Sequence, residues 1–261
     1  MQLTAPAHST GAAADADRWT DARHEVKQRS VILVAVAALI SSTAGRSVVR
    51  AQVQWQSSTT LNAGDPDRPP GSDNLRAVLL IPLGTSTSVE LTSAADGVDF
   101  DIDGDGRNER VAWTRPDTQL AFLFFDRDGE GIVKNGTALV GGAMRHDAWN
   151  GFMALRFLAP GAGGAITADH PIYSKLLLWL DWNHDGQSQA AELRKVGEVF
   201  QKVGLGYFEP QGGQQRDVYG NLVRFQGWLL PTTAPADSLS GYTPAYDVIL
   251  QVSRGGQRRN E

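Results

Sequence analysis

The chain has 261 residues, 41% of them hydrophobic and seven of them Trp, which supplies a core for one large domain or two small ones and excludes wholesale disorder. A formal charge of −5 excludes nucleic acid as the main partner, because phosphate binding needs a basic face. The absence of Cys excludes disulfides, Cys-ligated zinc, a thiol nucleophile and an acylated anchor, and the five His form no HExxH run that would support a zinc hydrolase.

At the N-terminus Lys27 and Arg29 precede a ten-residue apolar run, Val31 to Ile40, followed by Ser41-Ser-Thr-Ala-Gly. Basic flank, short apolar segment and small residues are the parts of a secretory signal peptide. Ten helical residues rise about 15 Å, roughly half the hydrocarbon thickness, so a spanning anchor is the weaker reading. Residues 1–51 are read as a leader with the signal peptide over 26–51, Val49-Arg50-Ala51 as the cleavage point and the true start near Val26. Its removal leaves 18 basic and 25 acidic residues, net −7, a sign that suits cation binding. The processed chain is expected to have no membrane span and to be secreted or held at the cell envelope.

Residues 52–75 read as a polar linker, rich in Pro, Gly, Ser and Asp from Ser57 to Asn74. A single domain is expected over 76–253. Arg76–Pro82 and Ser88–Thr92 are short and strand-like, and 98–125 reads as a three-strand meander. Asp147–Leu158 carries apolar residues at helical spacing, and a second helix is predicted over 189–201 with Ser188 as its N-cap. Strands return over 206–210, 221–230 and 246–252, with Tyr219-Gly220-Asn221 as a turn, and 254–261 reads as a disordered tail. The expected fold class is α+β, mainly antiparallel β with two or three short helices and DxDxDG calcium loops between elements.

Three acidic loops carry the chemistry. Ca²⁺ takes six to eight oxygens, and an EF-hand-like loop supplies them from positions 1, 3 and 5, a backbone carbonyl at 7, position 9 and a Glu at 12, with Gly at 6. In the first loop Asp101, Asp103 and Asp105 hold positions 1, 3 and 5, Gly106 position 6, the Arg107 carbonyl position 7 and Glu109 position 9. Position 12 is Ala112, so this loop closes through Glu109, which suits a hairpin turn with no helix after it. In the second, Asp126, Asp128 and Glu130 precede Gly131, but Lys134 falls at 9 and Thr137 at 12, so a metal site and a plain ordered turn both remain open. The third fits the whole template: Asp181, Asn183, Asp185, Gly186, the Gln187 carbonyl, Gln189 to orient a water, and Glu192. Two Ca²⁺ sites are expected, with a third open at the second loop.

The order FDIDGDGRNERVAW, FLFFDRDGEGIVKNG, NGFMAL, SKLLLWLDWNHDGQSQAAEL, YDVILQV resembles a family of exported bacterial EF-hand-like calcium-loop proteins, with segments similar to RTX haemolysin-type proteins. The resemblance covers roughly residues 97–250. Phe100 to Arg110 and Trp113 keep the family's first motif whole. The second keeps Asp126, Gly129, Gly131 and Asn135-Gly136, with Lys134 in place of an Asp and Ala138 in place of a Glu. A further family loop corresponds to 159–171, where the ligating carboxylates are gone and no metal is expected.

With most clustered carboxylates assigned to calcium loops, an acid–base pair for catalysis is not left over, and the reading is non-enzymatic. His184, at loop position 4, reads as a solvated turn residue and Trp179 as core; Trp182 is the better candidate for an exposed contact, with packing over a neighbouring strand the favoured reading. Calcium is expected to be mainly structural. The alternative is a calcium-dependent adhesion or carbohydrate-binding module with a cell-surface protein or glycan partner.

Overall fold

A computed structural model of the protein describes residues 72–236 and 240–253. The leader, most of the linker and the 254–261 tail lie outside the described residues. The strands are β1 (Ala77–Pro82), β2 (Val98–Phe100), β3 (Glu109–Val111), β4 (Leu120–Phe125), β5 (Ala165–Ile166), β6 (Leu176–Trp179), β7 (Leu193–Lys195), β8 (Phe200–Gly204), β9 (Gln215–Arg216), β10 (Leu222–Pro231) and β11 (Thr243–Ile249). Among the described residues two α-helices accompany them, α1 (Gly151–Leu158) and the four-residue α2 (Val196–Val199). Nine strands form one antiparallel sheet in the order β5-β8-β10-β11-β1-β4-β6-β7, with β9 also on β10; β2 and β3 form a separate hairpin.

At β1 and β4 the sheet is buried on both faces, which explains why these strands read as unbroken apolar runs rather than alternating ones. Leu79, Ile81, Ala121 and Leu123 face a core closed by Phe152 and Leu155 of α1 and by Phe200 and Val203 of β8. Val78, Leu80, Phe122 and Phe124 face the opposite core, closed by Phe100, Val111, Trp113, Val133 and Leu139. The hairpin and the acidic loops therefore lie over the second face.

This architecture corrects the α+β expectation: the domain is mainly antiparallel β. The predicted helix over 189–201 does not form. A 3-10 turn (Ala190–Glu192) leads into β7, then the single turn of α2, then β8. The reason is pairing: Leu193–Lys195 bond to Leu177–Trp179 along the sheet edge, which interrupts the helix before Val196. Ser188 does not cap; its Oγ accepts the Val133 N–H at 2.8 Å, and Gln189 and Glu192 form the capping box instead. α1 begins at Gly151 rather than 147, where the Asn150 Oδ1 accepts the Met153 N–H at 2.9 Å, and Asp147 pairs outside the helix with Arg145. The meander is split, since β4 pairs with β1 and β6 and not with the hairpin. Residues 88–92 and 206–210 contribute only the isolated bridges Leu91 to Thr114 and Phe208 to Gln226.

Candidate metal centre

The hairpin turn between β2 and β3 wraps around Asp101, which is buried. Its Oδ1 accepts the Gly104 N–H at 2.8 Å and its Oδ2 the Gly106 N–H at 3.1 Å. The Asp103 Oδ1 accepts the Asp105 N–H at 3.2 Å, and the Glu109 Oε2 accepts the Ile102 N–H at 3.3 Å. Carboxylate oxygens of Asp101, Asp103 and Glu109 lie within 4.8 Å of one another. Asp105 stands outside that group, its Oδ1 taking the Arg107 N–H at 2.8 Å.

The 181–192 loop is built on two buried carboxylates, Asp181 and Glu192, each 4% exposed. Asp181 accepts N–H groups from Asp185 at 3.2 Å and Gly186 at 2.9 Å. It also takes the indole N–H of Trp113 at 2.8 Å. Glu192 accepts the indole N–H of Trp179 at 3.1 Å and the Trp182 N–H at 3.0 Å, which closes the loop on itself. Asn183 and Gln189 both donate to the Asp185 Oδ2, at 2.8 and 2.9 Å. Gly186 sits at φ 72°, and a Cβ there would lie 3.1 Å from the Val98 side chain, so glycine is required on two counts.

The 126–137 loop acts differently. Asp126 accepts N–H groups from Gly129 and Gly131 at 3.1 and 3.2 Å, while Glu130 is taken by Lys134 in an exposed ion pair at 2.6 Å. Among the described residues, three carboxylates converge only in the hairpin turn, so neither Asp126, Asp128 and Glu130 nor Asp181, Asp185 and Glu192 form such a group. The loop instead joins its neighbours. The Gly136 N–H donates to the Asp101 carbonyl at 2.8 Å, the Asn135 amide reaches the Asp101 Oδ2 at 3.4 Å, and Val133 is tied to Ser188. All three acidic loops are thereby joined over one face of the sheet.

The electrostatics of this arrangement favour a cation. Burial pushes the Glu109 carboxyl above its ordinary range against the Ile102 hydrogen bond, and Asp103, Asp105 and Asp101 add to the rise. Burial likewise raises Asp181, opposed by hydrogen bonds from Gly186, the Trp113 indole and Asp185, with Glu192 adding to the rise. Two carboxylates at 4.8 Å repel by about 3–4 kcal/mol at an effective dielectric constant of about 20. Among the described residues no Lys or Arg ion pair reaches Asp101, Asp181 or Glu192. Buried charge met only by neutral donors, in an all-oxygen set, fits a hard cation. Asp101, Asp103 and Glu109 converge closely enough to hold one ion; Asp181, Asn183, Asp185, the Gln187 carbonyl and Glu192 offer oxygen donors in loop order, with their carboxylates engaged by N–H groups of the loop and its indoles.

Several features were not legible from the loops alone. The indoles of Trp113 and Trp179 fix carboxylates 68 and 13 residues away, and Asn135 reaches from the weakest loop to the first Asp of the hairpin turn. Trp113 and Trp179 are fully buried, while Trp182 is 42% exposed, in line with its position in the loop. His184 departs from the reading as a solvated residue. It stands at φ 61° and half-buried, with its Nε2 buried and without a partner among the described residues.

Residues 80–227, more than half of the chain, match the SPM domain family, and the chain belongs to that family. Over 116 residues it is 34% identical to the iron-regulated protein FrpA of Neisseria meningitidis serogroup C, an alignment covering 42% of this chain and 10% of that protein. The chain thus spans about a tenth of that relative's length. No helix among the described residues is long and apolar enough to cross a membrane.

Proposed function

We propose that this SPM-domain chain is an exported, non-enzymatic calcium-binding protein whose ions lock the loops over one face of the sheet. This finer reading draws on the resemblance to exported EF-hand-like calcium-loop proteins. The observation that carries it is that the buried carboxylates of Asp101, Asp181 and Glu192, within loops of calcium-ligand spacing, meet only neutral donors among the described residues. Ca²⁺ suits the donor set because it accepts irregular, all-oxygen coordination, whereas Mg²⁺ demands near-ideal octahedral geometry. Binding to the folded state adds RT ln(1 + [L]/Kd), about 2.7 kcal/mol at a hundredfold excess over Kd. Secretion agrees with the weak affinities of extracellular modules, with Kd about 10⁻⁴–10⁻³ M.

Thermal unfolding with added Ca²⁺ or chelator tests this reading. Tm rises with calcium, falls with chelator, and Asp101→Ala and Asp181→Ala each remove part of the rise. An equal rise in wild type and both variants would reject it. A calcium-dependent adhesion or carbohydrate-binding role is the second reading, favoured by Trp182, which stands exposed on the 181–192 loop. A glycan array with and without Ca²⁺ separates the two, since only the second gives calcium-dependent spots that Trp182→Ala removes.

A further inference from the structure

We infer that the 101–109 and 181–192 loops bind calcium as one coupled unit, with Trp113 as the positioning residue that links them; this rests on the calcium reading above. Trp113 lies two residues beyond β3 and is fully buried. Its indole N–H is committed to the Asp181 Oδ2, the first ligand of the distant loop, at 2.8 Å. Its ring packs on Phe100, the residue before Asp101, with centroids 5.1 Å apart. It also packs edge-on against Trp179 at 5.6 Å, whose own indole N–H holds Glu192, the last ligand of that loop. Phe122 of β4 backs both indoles, at 4.5 Å from Trp113 and 5.5 Å from Trp179. The first ligand of one loop and the first and last ligands of the other are therefore attached to a single buried four-ring cluster.

Packed cores shift between discrete arrangements rather than deform continuously. An ion that orders the hairpin turn fixes Phe100 and Trp113, so Asp181 is already aimed when the second ion arrives. The ordering entropy is then spent once for two ions, which gives positive coupling without a large movement. The ties from Gly136 to Asp101 and from Val133 to Ser188 run in parallel through the middle loop. By linkage the effect is reciprocal: each site raises the affinity of the other by the same factor.

Calorimetric Ca²⁺ titration of wild type, Asp101→Asn, Asp181→Asn, Trp113→Phe and the Asp101→Asn/Trp113→Phe pair tests this. Asp101→Asn is expected to weaken the 181–192 site at least about fivefold, and Asp181→Asn to weaken the hairpin site by the same factor. Trp113→Phe keeps a ring but loses the N–H, and it brings the factor towards one, whereas a merely structural loss weakens both sites and leaves the factor unchanged. If Trp113→Phe does not fold, the Trp113 indole proton resonance decides. In Asp185→Asn, where the hairpin site fills first, calcium moves that resonance, and an unmoved signal overturns the link. No calcium heat in wild type defeats the calcium reading itself. Two sites that bind with mutually indifferent affinities defeat only the coupling.

Discussion

Asp247 is fully buried in β11, and its charge is met from two sides. Its Oδ2 accepts the Arg224 Nε–H at 2.7 Å, and its Oδ1 accepts the N–H of Gly151 at the start of α1, at 2.8 Å. Arg224 also reaches Asn74, whose amide holds the Ala148 carbonyl, so the network fastens α1 to the sheet. Removing one partner of a buried pair leaves the other charge unmet, and Asp247→Ala should cost about 3–5 kcal/mol in urea unfolding. Asp117→Ala, which breaks an exposed pair with Arg115, should leave the midpoint nearly unchanged. Gly136 is decided by proximity rather than by turn geometry, because a Cβ there would lie 1.8 Å from the Ile102 carbonyl oxygen. Gly136→Ala therefore pries the middle loop from the hairpin turn, and a loss of about 1–3 kcal/mol is expected by the same measurement. At this scale the residues of the acidic loops were legible, since their spacing is local along the chain. Their buried donors, Trp113 above all, were not, because nothing near residue 113 marks a bond to residue 181.

The stretch from Gln189 to Gln201 is where local pattern and fold disagree. Ala190, Ala191, Glu192 and Leu193 are good helix formers, and an acidic loop ending in Glu leads the eye to an exiting helix. The free edge of β6 offers Leu193–Lys195 a ladder instead, and Glu192 is already held by Trp179 and Trp182 before a second helical turn can form. Gly197 distinguishes the two. In a long helix Gly197→Ala would raise stability by about 1 kcal/mol. Here the new methyl would lie 3.0 Å from the Tyr173 ring, whose hydroxyl is bound to the Phe200 carbonyl. The unfolding midpoint of Gly197→Ala should not rise. The helix at 151–158 was legible from the helical spacing of its apolar residues, of which Phe152 and Leu155 are buried and Phe157 exposed, and only its start moved, to the cap at Asn150.

For the described domain as a whole, the strands carrying the most pairing are β10, β11 and β1, at the middle of the sheet, while the acidic loops are tied to one face and to the β6–β7 edge. Stability is accordingly uneven. In hydrogen exchange, chelator should speed exchange over 101–109, 126–137 and 181–192 together and leave β10, β11 and β1 protected; uniform acceleration would mean that the ions hold the entire fold. What the sequence by itself determined is whatever short-range pattern encodes: the strand-like runs, the turn glycines, and acidic residues at EF-hand-like spacing. Only the tertiary structure decided which strands meet, that Leu193–Lys195 join a sheet edge rather than a helix, and that three separated loops are tied together over one face of the sheet. Those outcomes depend on contacts between residues far apart in the chain, whose energies no local window contains.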